Sequence, residues 1–84
     1  MLYFFELTDT FGGEANYSWV KRFKVEAKSI NGAIRKVSAD CGFQGRLMVD
    51  CKGELSRWNV KGAPLCIFGS EYDNEGEHYK LIEL

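Results

Sequence analysis

Thr8-Asp9-Thr10-Phe11-Gly12-Gly13-Glu14-Ala15-Asn16-Tyr17-Ser18-Trp19 is the stretch that decides the fold. Gly12-Gly13 can take positive φ, and the side chains of Asp9, Thr10 and Asn16 can bond nearby backbone amides, which is how a chain reverses direction tightly. The segments on either side read as strands. Residues 2 to 8 are apolar on both alternating sets, Leu2 and Phe4 against Tyr3, Phe5 and Leu7, as suits an interior strand covered on two faces. From residue 16 to residue 27, Tyr17, Trp19, Phe23 and Val25 fall on one side and Ser18, Arg22, Lys24 and Glu26 on the other. Only Lys21 and Val20 break that alternation, and a long β-hairpin is predicted.

Beyond the hairpin the period changes. Ser29 is a candidate N-cap, and Ile30, Ala33, Ile34, Val37 and Cys41 recur at helical spacing, with Asn31, Arg35, Lys36, Ser38 and Asp40 on the opposite side. Gly42 is the natural stop. Gly32, near the start, weakens this helix by roughly 1 kcal/mol relative to Ala, so packing must hold it. After the connection over residues 42–45, residues 46–51 alternate Leu47, Val49 and Cys51 against Met48 and Asp50. Lys52-Gly53-Glu54 then turns into a strand over residues 55–60. Lys61-Gly62-Ala63-Pro64 breaks the pattern, residues 65–68 form a short strand ending at Gly69-Ser70, and Asp73-Asn74-Glu75-Gly76 is a turn before a closing strand over residues 79–84.

The order is ββαββ(β): an α+β domain over residues 1–84, with an antiparallel sheet of four to five strands and one helix on one face. A single helix covers about half of such a sheet. The uncovered face must therefore curl on itself, be covered by the C-terminal segment, or dock onto a second copy or another protein.

Composition bounds the function. At 84 residues, 45% hydrophobic and 27% charged, the chain is an ordinary single globular domain, and one this small buries only about 60 to 65% of its unfolded surface. Its twelve aromatic residues can serve either the core or a contact surface. Cys41, Cys51 and Cys66 are odd in number and lack CxxC spacing, which points to reduced, mostly buried thiols and not to a disulfide framework or a zinc site. The apolar start Met1-Leu2-Tyr3-Phe4-Phe5 has no basic lead and is far shorter than a signal or membrane-spanning segment, so a cytoplasmic protein with no membrane partner is expected. The net charge of −1 divides into ten basic against seven acidic residues over 1–62 and one against five over 63–84.

No constellation of catalytic residues emerges, and no enzyme, cofactor or metal is expected. His78 is the lone histidine, set among Glu75 and Glu77, and reads as an exposed spectator. Asp9, Glu14 and Asn16 offer oxygen ligands around a glycine turn, as a cation site would, yet their spacing is not that of an EF-hand loop, and hairpin capping accounts for them. Cys41 sits at a helix C-terminus, where the dipole disfavours a thiolate. Lys21, Arg22, Lys24, Arg35 and Lys36 form a basic set interleaved with aromatic rings, the ingredients of a single-strand nucleic-acid binder. Strand alternation, however, turns Arg22 and Lys24 away from Trp19 and Phe23.

The run from residue 8 to Val20, followed by Lys21-Arg22 and by Gly32-Ala33-Ile34-Arg35-Lys36, resembles small uncharacterised proteins of tailed bacteriophages and prophages. It covers about the first half of the chain. The resemblance implies a phage origin and no assigned activity or functional residue. Small accessory phage proteins commonly act by binding a host or phage protein, so the expected function is non-enzymatic protein binding, with Phe11, Glu14, Asn16, Tyr17 and Trp19 as contact residues and a homodimer as one form of association. The alternative is a small nucleic-acid-binding module using the basic set; a virion structural component is a third expectation.

Overall fold

The structure, a computed structural model, describes residues 1–71 and 81–84. The turn expected at Asp73-Asn74-Glu75-Gly76, His78 and the Tyr79 start of the closing strand lie outside the described residues. Among the described residues, six strands and one helix follow one another as β1 (Leu2–Phe11), β2 (Glu14–Glu26), α1 (Ile30–Cys41), β3 (Leu47–Cys51), β4 (Ser56–Val60), β5 (Leu65–Ser70) and β6 (Leu81–Glu83). They build one sheet in the order β3-β4-β5-β1-β2-β6.

The α+β architecture with a single helix matches the sequence reading; the strand count does not. Six strands replace the expected four to five, and the sheet is mixed, because β6 adds to the edge of β2 in parallel while every other pair is antiparallel. Three residues of β6 suffice for this. The Leu84 amide donates to the Lys24 carbonyl at 2.9 Å, and Lys24 Nζ lies 3.7 Å from Glu83 Oε1. Alternation within so short a segment does not specify whether it runs up or down its neighbour.

The helix covers the sheet face that carries Tyr3, Phe5 and Leu7 of β1, Phe23 and Val25 of β2, Ile67 of β5 and Trp58 and Val60 of β4; with Ala33, Ile34 and Val37 these residues form the core. Register explains the set. Phe5 stands opposite both Phe23 and Gly69, and Trp58 opposite Ile67, so alternate residues of four strands converge on one side. Gly69 is where a side chain has no room: a Cβ there would lie within the van der Waals envelope of the Phe5 ring and 3.1 Å from Trp58 Cζ3. The Phe5 and Trp58 rings meet across it at 5.9 Å between centroids.

Ser29 caps α1 as expected, its Oγ accepting from the Gly32 amide at 3.1 Å, and the helix ends at Gly42. Ser38, placed by its spacing on the polar side, is buried; its carbonyl accepts from the Phe43 amide at 2.9 Å as the chain leaves the helix, which tucks Phe43 under the core. The two-sided burial expected of β1 holds for only part of its length. Leu2 is exposed and Phe4 half-buried, while Thr8, on the side away from the helix, is fully buried.

Candidate functional site

The β1–β2 hairpin does not continue the flat sheet. Between the pairs Thr8↔Val20 and Thr10↔Ala15 a single residue of β1, Asp9, faces residues 16–19 of β2. Such a bulge bends and twists a hairpin. Asp9 is its organising group: Asn16 Nδ2 donates to Oδ2 at 2.8 Å, Ser18 Oγ donates to the same oxygen at 2.5 Å, and the Ser18 amide donates to Oδ1 at 3.0 Å. The Thr8 hydroxyl gives its proton to the Trp19 carbonyl at 2.7 Å, tying the base of the bulge to β1. The donors from Asn16 and Ser18 stabilise the ionised carboxylate and pull Asp9 down from the ordinary 3.8 to about 2. Because Asn16 presents its NH2 group to Asp9, the arrangement is that of a backbone cap, with both carboxylate oxygens already accepting. Among the described residues, no three His, Cys, Asp or Glu side chains gather as a metal site requires.

The bend carries the hairpin tip over the sheet face opposite the helix, so the face that one helix leaves open is partly covered by the chain itself. Tyr17 takes φ 55, the non-glycine residue with positive φ among those described, and its ring stacks on Phe68 of β5 at 6.3 Å and 14°. Positive φ is costly for an aromatic residue, on the order of 1 kcal/mol, and is held here by the contacts around it. Arg57 of β4 lies over the other part of this cluster, its guanidinium 5.5 Å from the Phe68 centroid. Arg57 Nη2 donates to the Gly13 carbonyl at 2.7 Å, and its Nε sits 3.3 Å from Asp50 Oδ2. Thr8 and Cys66, partners across β1 and β5, are fully buried beneath this cover.

The five residues singled out for protein contact therefore have distinct places. Phe11 is 82% exposed at the turn and Trp19 45% exposed beyond the bulge, with Glu14 and Asn16 also exposed. Tyr17 is exposed as well, but the bulge rotates it off the face of Phe23 and Val25, where simple alternation had placed it. Asn16 is committed to Asp9. Neither Arg57 nor Phe68 is marked by the sequence: Arg57 lies 44 residues from Gly13 and Phe68 lies 51 residues from Tyr17, and no local spacing connects them to the hairpin.

The basic set does not form one surface. Arg22 pairs with Glu6 at 3.3 Å and Lys24 with Glu83, both on the face away from the helix. Lys21 lies over the Phe23 ring at 5.6 Å, on the helix side; Arg35 and Lys36 are on α1, where Lys36 Nζ donates to the Glu26 carbonyl at 2.8 Å. The cysteines are free, and their burial is uneven: Cys66 is buried, Cys41 half-buried and Cys51 exposed, the last against expectation because β3 ends the sheet among the described residues. Burial pushes the Cys41 and Cys66 thiols up, away from thiolate chemistry. No helix among the described residues is long and apolar enough to cross a membrane. Compared with protein-family models, with curated proteins and with solved structures, the chain matches none.

Proposed function

We propose that the protein is a non-enzymatic protein-binding module, an accessory protein of the kind tailed phages carry, whose contact surface is the outer side of the β1–β2 hairpin. The observation that carries this reading is the exposure of Phe11 and Trp19 on a hairpin held by Asp9 from within and by Arg57 and Phe68 from beneath. Large aromatic side chains exposed on an otherwise well-packed small domain mark contact surfaces, and a surface already fixed in shape avoids the ordering cost of binding. The partner, a protein of the phage or of its bacterial host, would offer an apolar pocket to Phe11 and donors to Glu14. Protein is favoured over nucleic acid because the five cations fall on two faces and two of them are ion-paired.

The test is affinity capture from bacterial lysate with and without nuclease. A specific protein retained by the wild type after nuclease treatment supports the reading. Recovery of nucleic acid alone, released at moderate salt as counterion release demands, overturns it.

A further inference from the structure

Asn31-Gly32 is the one asparagine–glycine pair in the chain, and the fold places it in the first turn of α1. A glycine has no side chain to hinder its own nitrogen, so in such a pair the glycine amide can close on the asparagine side-chain carbonyl. The Gly32 amide precedes the first main-chain bond of the helix, which runs from the Ala33 amide to the Ser29 carbonyl at 2.9 Å. Its acceptor is a side chain, Ser29 Oγ at 3.1 Å, so the cap is what holds this nitrogen in place. Asn31 is exposed to water, and its Oδ1 accepts from Lys52 Nζ at 3.0 Å, reaching across from the β3–β4 turn. Among the described residues Lys52 forms no ion pair, with Glu54 of the same turn or with any other acid, so the Asn31 amide is the group its charge polarises.

We propose that Asn31 is a self-modification site, converted by water to aspartate and isoaspartate through a cyclic imide, with the Ser29 cap holding the reaction back and Lys52 promoting it. When the first turn opens, the Gly32 amide leaves Ser29 and gives its proton to hydroxide, and its nitrogen attacks Asn31 Cγ. The electron pair of the carbonyl moves onto Oδ1, where Lys52 already donates, and such a fixed charge favours the developing oxyanion. As that pair returns, the Cγ–Nδ2 bond breaks and Nδ2 departs as ammonia with a proton taken from water. A second water adds to either carbonyl of the ring, and ring opening yields aspartate or isoaspartate. The net change consumes one water and releases one ammonia. It leaves a carboxylate within reach of Lys52, in a first turn that carries no acid of its own. The site is separate from the hairpin tip, and the proposal does not rest on the hairpin reading.

The test is incubation of the folded protein in mildly alkaline buffer, with peptide mapping by mass spectrometry to follow deamidation at each asparagine and a thermal melt of every variant. Conversion at Asn31 is expected to run at least tenfold faster than at Asn16 or Asn59. Ser29→Ala should speed it about fivefold, the effect of a lost cap on opening of the first turn, while Ser29→Thr, which keeps the cap, should match the wild type. Lys52→Met should slow it at least threefold and Gly32→Ala at least tenfold. Equal rates in the wild type and a folded Ser29→Ala, an unchanged rate in Lys52→Met, or conversion spread evenly over the asparagines would overturn the proposal. Should Ser29→Ala fail to fold, the comparison of Lys52→Met with the wild type decides it.

Discussion

Arg57 and Gly13, 44 residues apart in sequence, meet where Nη2 of the arginine donates to the glycine carbonyl at 2.7 Å. That contact joins the tip of the first hairpin to the strand β4 across the open face of the sheet. With Tyr17 stacked on Phe68, it turns a protruding loop into a fixed platform for Phe11 and Glu14. Arg57→Ala is expected to loosen residues 12–17 without disturbing the core, at a cost of about 1 kcal/mol for the lost hydrogen bond. Amide hydrogen exchange should accelerate in that segment alone; unchanged exchange there would show that Asp9 is sufficient to hold the bend.

Asp9 makes the platform sensitive to acid. Its folded value of about 2 lies below the ordinary 3.8, so its contribution to stability is complete above about pH 4 and is lost as pH falls through about 2. An NMR titration of the Asp9 carboxyl should find its midpoint near 2, with Asn16 and Ser18 resonances shifting together. Asp9→Asn would remove an acceptor from Ser18 and set one NH2 group against another at Asn16, and it should abolish this part of the acid dependence. A midpoint near 4 would contradict the network.

Gly69 and Phe5 form one packing unit. Gly69→Ala places a methyl group against the Phe5 ring and should destabilise the fold by about 1 to 3 kcal/mol, the usual cost of overpacking. Combining it with Phe5→Leu should cost less than the sum of the separate changes, since the shorter side chain vacates the space the methyl needs. Urea unfolding of the two single variants and the double variant measures the coupling; strict additivity would refute it.

Gly32 offers the opposite case. Its added Cβ would meet Ser29 Oγ at 3.5 Å and Ala27 Cβ at 3.9 Å, ordinary van der Waals contacts with the residues that lead into the helix. Gly32→Ala should therefore stabilise the protein by about 0.5 to 1 kcal/mol through helix propensity and a less flexible unfolded chain. Thermal unfolding of the variant decides it, and a lowered midpoint would mean that the cap at Ser29 depends on the glycine.

The sequence showed what is written in local periodicity. The hairpin, the helix from its Ser29 cap to Gly42, and the β3–β4 pair follow from alternation, helical spacing and turn residues, and they appear where those signals put them. The parallel docking of β6 did not appear, because a three-residue strand has too little pattern to choose a partner or direction. At the hairpin, Phe11, Tyr17 and Trp19 were recognisable as aromatic residues near a reversal, but their division between core and surface was not. The bulge opposite Asp9 breaks the two-residue period that alternation relies on, and Tyr17 changes faces in consequence. The contributions of Arg57 and Phe68 arise from strand order, a long-range property that no window around either residue contains.

The measurement closest to the central claim is partner capture by the wild type and by Phe11→Ala and Trp19→Ala, each paired with a thermal melt. A hairpin that binds through its exposed rings predicts a loss of about 2 kcal/mol of affinity or more for Phe11→Ala, roughly thirtyfold, with an unchanged melting temperature. Undiminished capture by a normally folded Phe11→Ala would contradict it, and so would loss of capture only in variants that also unfold.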